Sequence, residues 1–161
     1  MRYPRPADER WGHPTRAAGR PPVRLVVDAS VAVKWFLKER PDEPHLAQAE
    51  AVAAAVGHGG TELLAPIHWI LEIIAVLAHT DPGAVDALLF LDDMMPTTIQ
   101  GVPVLKRAAD LSISLNHHLF DTLYHAVALE EDATLVTADD AYFVKATGLG
   151  NIQRLADFAA P

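Results

Sequence analysis

"FDTLYHAVALEEDATLVTADDAYF", residues 120–143, is the stretch whose reading decides the fold. "FDTLYHAVALEED" reads as a helix, "ATLVTA" as a short apolar strand, and "DAYFVKAT", running to residue 147, as a helix again. A buried strand set between two helices is the unit of a sheet threaded by crossover helices. The same alternation extends outward. "VRLVVD", 23–28, predicts a first strand, and "SVAVKWFL", 30–37, a short helix that Ser30 is placed to cap. "EPHLAQAEAVAAAV" predicts a helix ended by the glycines of "GHGG", and "ELLA", 62–65, a strand. Pro66 then suits the first turn of a helix over "IHWILEIIAVLAH", 67–79. "PGAVDALLFLDDM" and "LKRAADLSISLN" predict further helices on either side of a strand in "TTIQGVPV", and "NIQRLA" a last strand. The expected class is α/β, with a central, mainly parallel sheet covered on both faces. In such sheets active groups gather at the carboxyl edge of the strands.

Half of the 161 residues are hydrophobic, which suits one domain with a sizeable core. The chain has no cysteine, so disulfides and thiolate metal sites are excluded, which fits a reducing cytoplasm. The apolar stretch "LLAPIHWILEIIAVLA" is interrupted by Pro66, His68 and Glu72 and is short for a membrane span. The N-terminal arginines have no apolar run behind them, so no secretory signal is expected.

Charge divides the chain. Residues 1–22 hold five Arg and five Pro against Asp8 and Glu9, and the expectation is a disordered basic extension before one domain over 23–161. The remainder carries eight basic and nineteen acidic residues, a balance of −11. A body so acidic argues against broad binding to phosphate backbones unless metal ions neutralise the site.

Four acidic residues stand apart from the solvated ones. Asp28 closes the first strand, where an Asp also serves as a turn or capping residue. Glu72 is the one charged residue of a helix that reads as apolar on nearly every face, and a buried carboxylate must be protonated, paired or bound to a cation. Asp121 begins a helix, where capping and catalysis are equally served. Asp139 comes off the strand "ATLVTA" with Asp140 behind it, and one of the two suffices to cap the next helix. Gathered in one pocket, such carboxylates would raise one another's pKa, a conflict that a hard divalent cation resolves. Mg²⁺ or Mn²⁺ held this way activates water against a phosphodiester.

"VVDASVAVKWFL", "LLAPIHWILEIIAVL" and "FDTLYHAVALEEDATLVTADDAYF" resemble, in order and spacing, the motifs of the PIN-domain family, most closely its VapC-type toxins from bacterial and archaeal toxin–antitoxin pairs. The resemblance spans about residues 24 to 157. It implies a three-layer α/β/α sandwich and a Mg²⁺- or Mn²⁺-dependent endoribonuclease. It places the family's four acidic positions on Asp28, Glu72, Asp121 and Asp139, and its small hydroxyl positions on Ser30 and Thr137. A homodimer and a small inhibitory antitoxin are also implied. Three departures stand out: Ala75 where many relatives carry Asn, His125 where they carry an apolar residue, and the Arg-rich leader.

For RNA contact the sequence offers Lys34, Lys38, Arg40, Lys106 and Arg107, each also readable as solubilising charge, and Trp35 or Phe36 as stacking or core residues. Two other readings compete. Asp121 and His125, four apart on a helix with His117 or His118 nearby, have the spacing of a Zn²⁺ site, which leaves Asp28 and Glu72 unexplained. A catalytically silent scaffold that binds RNA or protein is the other.

Overall fold

The computed structural model describes residues 22–37, 42–80, 84–94 and 96–159. The expected extension therefore lies outside the described residues apart from Pro22, as do Lys38 and Arg40. Among the described residues, β1 (Val23–Val27), β2 (Thr61–Pro66), β3 (Thr97–Ile99), β4 (Thr134–Thr137) and β5 (Ile152–Arg154) form one sheet in the order β3-β2-β1-β4-β5. Every neighbouring pair is parallel, so the sheet is wholly rather than mainly parallel. Leu25, Val26 and Val27 are all buried. Successive strand residues point to opposite faces, so an unbroken buried run requires cover on both.

That cover comes from α1 (Ala29–Ala32), which continues as a 3₁₀ turn over Val33–Phe36, α2 (Leu46–Gly57), α3 (Trp69–Thr80), α4 (Ala84–Asp93), α5 (Val102–Leu115), α6 (Leu119–Glu130) and α7 (Asp140–Ala146). Helix α6 is the central one. Thr122 to Ala128 are buried without a break, and the helix packs on β1, β2, β4 and α5. Leu64, Leu77, Leu91 and Leu135 are wholly enclosed, and truncating any of them to Ala should cost about 2–5 kcal/mol. Trp35 belongs to this core. Its indole N–H donates to the Ala49 carbonyl at 2.8 Å, and its ring meets Trp69 and Phe90 edge-on. It has no face free to stack a base, and Phe36 packs edge-on against Phe90.

Two expectations about the α3 region are corrected. Pro66 ends β2 instead of starting a helix, and α3 begins at Trp69. The β1–β2 ladder stops at Leu64, so the missing N–H of Pro66 breaks no bond to β1. Nor is α3 buried on nearly every face. Trp69, Ile73 and Leu77 make one buried stripe, while Leu71 is 71% exposed and Val76 46%.

Candidate active site

The order of strands reverses at β1, whose neighbours β2 and β4 carry the chain in opposite directions across the sheet. A crevice opens outside the carboxyl ends of strands at such a switch point. The residues that follow β1 and β4 therefore meet there, although they lie far apart in the chain.

Asp28, the first residue after β1, is held from both sides. Its backbone N–H donates to the Val136 carbonyl at 3.0 Å. Its Oδ2 accepts from the Thr137 hydroxyl at 2.6 Å, and its Oδ1 accepts from the Ser30 N–H at 3.1 Å. Asp28 is thus the cap of α1, not Ser30 as the sequence suggested, because the chain turns into helix two residues earlier than a Ser30 cap requires. Ser30 works differently. From within α1 its Oγ accepts the Ala138 N–H at 3.2 Å, tying that helix to the end of β4. Burial pushes the Asp28 carboxyl up to about 6, against the bonds from Thr137 and Ser30 and with help from the charge of Asp121.

Asp139 follows β4 and caps α7, its Oδ1 accepting the Tyr142 N–H at 2.9 Å. Asp140 has no share in the cap and lies exposed, 3.9 Å from Arg154. Asp121 is not the cap of α6. It sits in the first turn behind His118, whose side chain makes no capping bond. The partner of Asp121 is His117, with Nε2 3.1 Å from Asp121 Oδ2 and 3.8 Å from Asp139 Oδ2.

Glu72 departs most from expectation. It is only two-thirds covered, and it has partners that a search for Lys or Arg overlooks. The Tyr124 hydroxyl on α6 donates to its Oε2, and His68 Nε2 lies 3.4 Å from the same oxygen. His68 is wedged between the rings of Phe120 and Tyr124 at 5.1 and 5.0 Å, and burial lowers its pKa against the pull of Glu72. Burial, reinforced by Glu72, raises the Tyr124 phenol, which therefore stays protonated and donating.

Asp28, Ser30, Lys34, Glu43, Glu72 and Asp121 line a cleft of about 440 Å³. Asp139 adjoins it through His117. The buried Tyr142 phenol, raised first by burial, feels the charges of Asp121, Asp28 and Asp139 together. Lys34 does border the cleft, paired with Glu43. Arg107 instead pairs with Glu130 at 2.8 Å, away from it. Ala75 contributes a methyl wall where a polar side chain would reach in.

Among the described residues no Lys or Arg pairs with the four carboxylates. The other end of the sheet is different: Arg24 on β1 bonds Glu62 and Glu131, each at 3.1 Å. Negative charge is partly offset by Arg24 at the amino edge and meets no described Lys or Arg at the four carboxylates of the carboxyl edge. A donor set of carboxylate oxygens in a half-open cleft fits a hard divalent cation such as Mg²⁺ or Mn²⁺. The donors of His117, Asp121 and Asp139 lie within 4.8 Å of one another.

His117, which the sequence offers only beside an Asp121–His125 zinc pair, is the histidine that reaches Asp121 and Asp139. The i, i+4 spacing of His117 to Asp121 is the signal in the sequence, and His125 has the same spacing on the other side. His125 is fully buried and turned away. Its Nδ1 is 3.0 Å from the Tyr142 hydroxyl and its Nε2 2.8 Å from the Gly150 carbonyl, so the Asp121–His125 zinc pair does not form.

The sequence model of the PIN domain matches residues 25–149. No curated protein matches the sequence significantly. Thirteen chains of solved structure match. VapBC-1 from nontypeable Haemophilus influenzae is similar at 15% identity and a TM-score of 0.59, over 84% of this chain and all of the other. VapBC2 from Rickettsia felis, bound to a DNA fragment from their promoter, is similar at 14% identity and a TM-score of 0.56, over 82% of this chain and 98% of the other. A protein from Pyrobaculum aerophilum is similar at 17% identity and 0.54, over 84% and 93%. At these identities the likeness is one of fold.

Proposed function

The chain belongs to the PIN domain family, and from that premise we propose that it is a Mg²⁺- or Mn²⁺-dependent endoribonuclease, the toxin of a toxin–antitoxin pair. The observation that carries the reading is the convergence of carboxylates at the switch point with no Lys or Arg partner among the described residues.

Asp28, Asp121 and Asp139 would hold the cation, and Glu72 would place the attacking water. When bound, the cation supplies Lewis acidity at the scissile phosphate and a lowered pKa for water. The chain's own residues do the rest. Thr137 and Ser30 fix the Asp28 carboxylate, so no reorientation is needed when charge develops. The Tyr124 hydroxyl occupies Oε2 of Glu72, which leaves Oε1 to orient a water and take its proton. Attack by water forms the new P–O bond and breaks the bond to the 3′ oxygen. The product then carries a 5′ phosphate, and the 2′-hydroxyl is not required.

The toxin assignment rests on the family and on the two VapBC neighbours. An acidic cleft suits a basic antitoxin segment, and the apolar outer face of α3, with Leu71 and Val76, suits a partner helix or a second copy in a homodimer. Among the described residues no helix is long and apolar enough to cross a membrane; a cytoplasmic site of action is part of the proposal. The test is cleavage of end-labelled RNA with Mg²⁺, with EDTA, and by Asp28→Asn. Cleavage that survives EDTA sinks the reading.

A further inference from the structure

We infer that His117 is itself a metal ligand at the edge of this cleft, joining Asp121 and Asp139 in a mixed nitrogen–oxygen set that favours a first-row transition ion over Mg²⁺. The inference shares with the proposed function only the premise that a divalent ion binds here.

Position comes first. His117 Nε2 lies 3.1 Å from Asp121 Oδ2 and 3.8 Å from Asp139 Oδ2. Donors bound to one ion at about 2.1 Å stand about 3 to 4.2 Å apart, so both distances fall within the span of a shared cation. The sequence makes this local. His117 precedes α6 and Asp121 lies one turn later, while the end of β4 brings in Asp139.

The state of the nitrogen comes second. His117 Nε2 is inaccessible to solvent and has no hydrogen-bond partner, although two carboxylate oxygens lie close. A buried polar atom left so is costly, and an ion between it and the carboxylates removes the cost. The ring is also held in place, packed at 4.8 Å from Tyr142, whose hydroxyl lies 3.0 Å from Nδ1 of the buried His125.

One contact works against ligation. Lys145 Nζ lies 3.4 Å from His117 Nδ1, which suits a ring with its proton on Nε2. That contact is long and exposed, and the ammonium has a nearer partner in the Asn116 carbonyl at 3.0 Å. A small displacement of Lys145 frees Nδ1 to carry the proton. Imidazole then shifts the preference of the site, because Mg²⁺ takes oxygen donors whereas transition ions accept nitrogen readily.

The experiment uses the full chain with Mn²⁺ alone. Pulsed EPR reads ¹⁴N coupling from a directly bound imidazole, and calorimetry compares Mn²⁺ with Mg²⁺. The wild type should show the coupling, His68→Gln should retain it, and His117→Gln should lose it. Mn²⁺ affinity of His117→Gln should fall by about tenfold or more while Mg²⁺ affinity changes little. No ¹⁴N coupling in the wild type, coupling that survives in His117→Gln, or an equal fall for both ions overturns the inference. The wild-type spectrum decides even if the variant folds poorly. Mn²⁺ bound through His117 without RNA cleavage leaves this inference standing and removes the nuclease reading; cleavage by a site without ¹⁴N coupling does the reverse.

Discussion

The hydroxyl of Thr137 donates to Oδ2 of Asp28 at 2.6 Å, joining the last residue of β4 to the first residue after β1. The bond favours the ionised carboxylate, so it restrains a pKa that burial has already pushed to about 6. Thr137→Val keeps the shape and removes the donor. The Asp28 pKa should then rise further, and Mn²⁺ binding, which needs the carboxylate, should appear at higher pH than in the wild type. The loss of the bond should cost about 1–2 kcal/mol. Mn²⁺ titrations across a pH series check this, and an unchanged midpoint counts against it.

The same residue links pH to stability. The Asp28 carboxyl is raised from its ordinary 3.8 to about 6 in the fold. Between those values the folded protein holds a proton that the unfolded chain has released. Without metal, its contribution is therefore most favourable below the lower value and is lost as pH rises through the upper one. Asp28→Asn escapes that loss. Near pH 7 it should be more stable than the metal-free wild type by about 1–2 kcal/mol, discounted for partial solvation, while binding metal poorly. Urea unfolding at two pH values measures both effects; a variant less stable than wild type near neutrality refutes it.

Tyr124 is 1% exposed, and its hydroxyl is spent on Glu72. Tyr124→Phe should cost about 1–2 kcal/mol and leave Glu72 with only the His68 ring nearby, 3.4 Å from its Oε2, among the described residues. Under the proposed mechanism, single-turnover cleavage should slow about tenfold with little change in Mn²⁺ affinity, because Glu72 places water rather than the cation. A large loss of metal affinity would instead make Glu72 a ligand.

His125 separates structure from chemistry. Its two ring nitrogens are occupied by Tyr142 and Gly150 inside the core. His125→Ala should lower stability by about 2–4 kcal/mol through lost bonds and an unfilled cavity. Affinity for Zn²⁺ or Mn²⁺ in the folded fraction should stay near wild type. A selective loss of Zn²⁺ binding at constant stability would restore the zinc reading.

Much of the fold was legible because apolar periodicity is a local signal: each strand of the sheet overlaps a run read as strand, and β2 extends one residue beyond its run at each end, taking in Pro66. Asp28, Glu72, Asp121 and Asp139 were legible for a similar reason, since acidic groups at element ends or in apolar helices stand out within a few residues. Other features were not. Pro66 was assigned to a helix because its ring suits a first turn as well as a strand end. Glu72 seemed unpartnered because a tyrosine 52 positions away carries no charge to signal the pairing.

By itself, then, the sequence determined an α/β chain with four acidic residues in the order and context of the PIN domain. The tertiary structure decided which caps form and what surrounds Glu72. It also decided that His117, not His125, reaches the carboxylates. The reason is that these pairings depend on sheet register and helix rotation. Asp28 and Thr137 are 109 positions apart, and only the order β2-β1-β4 makes them neighbours.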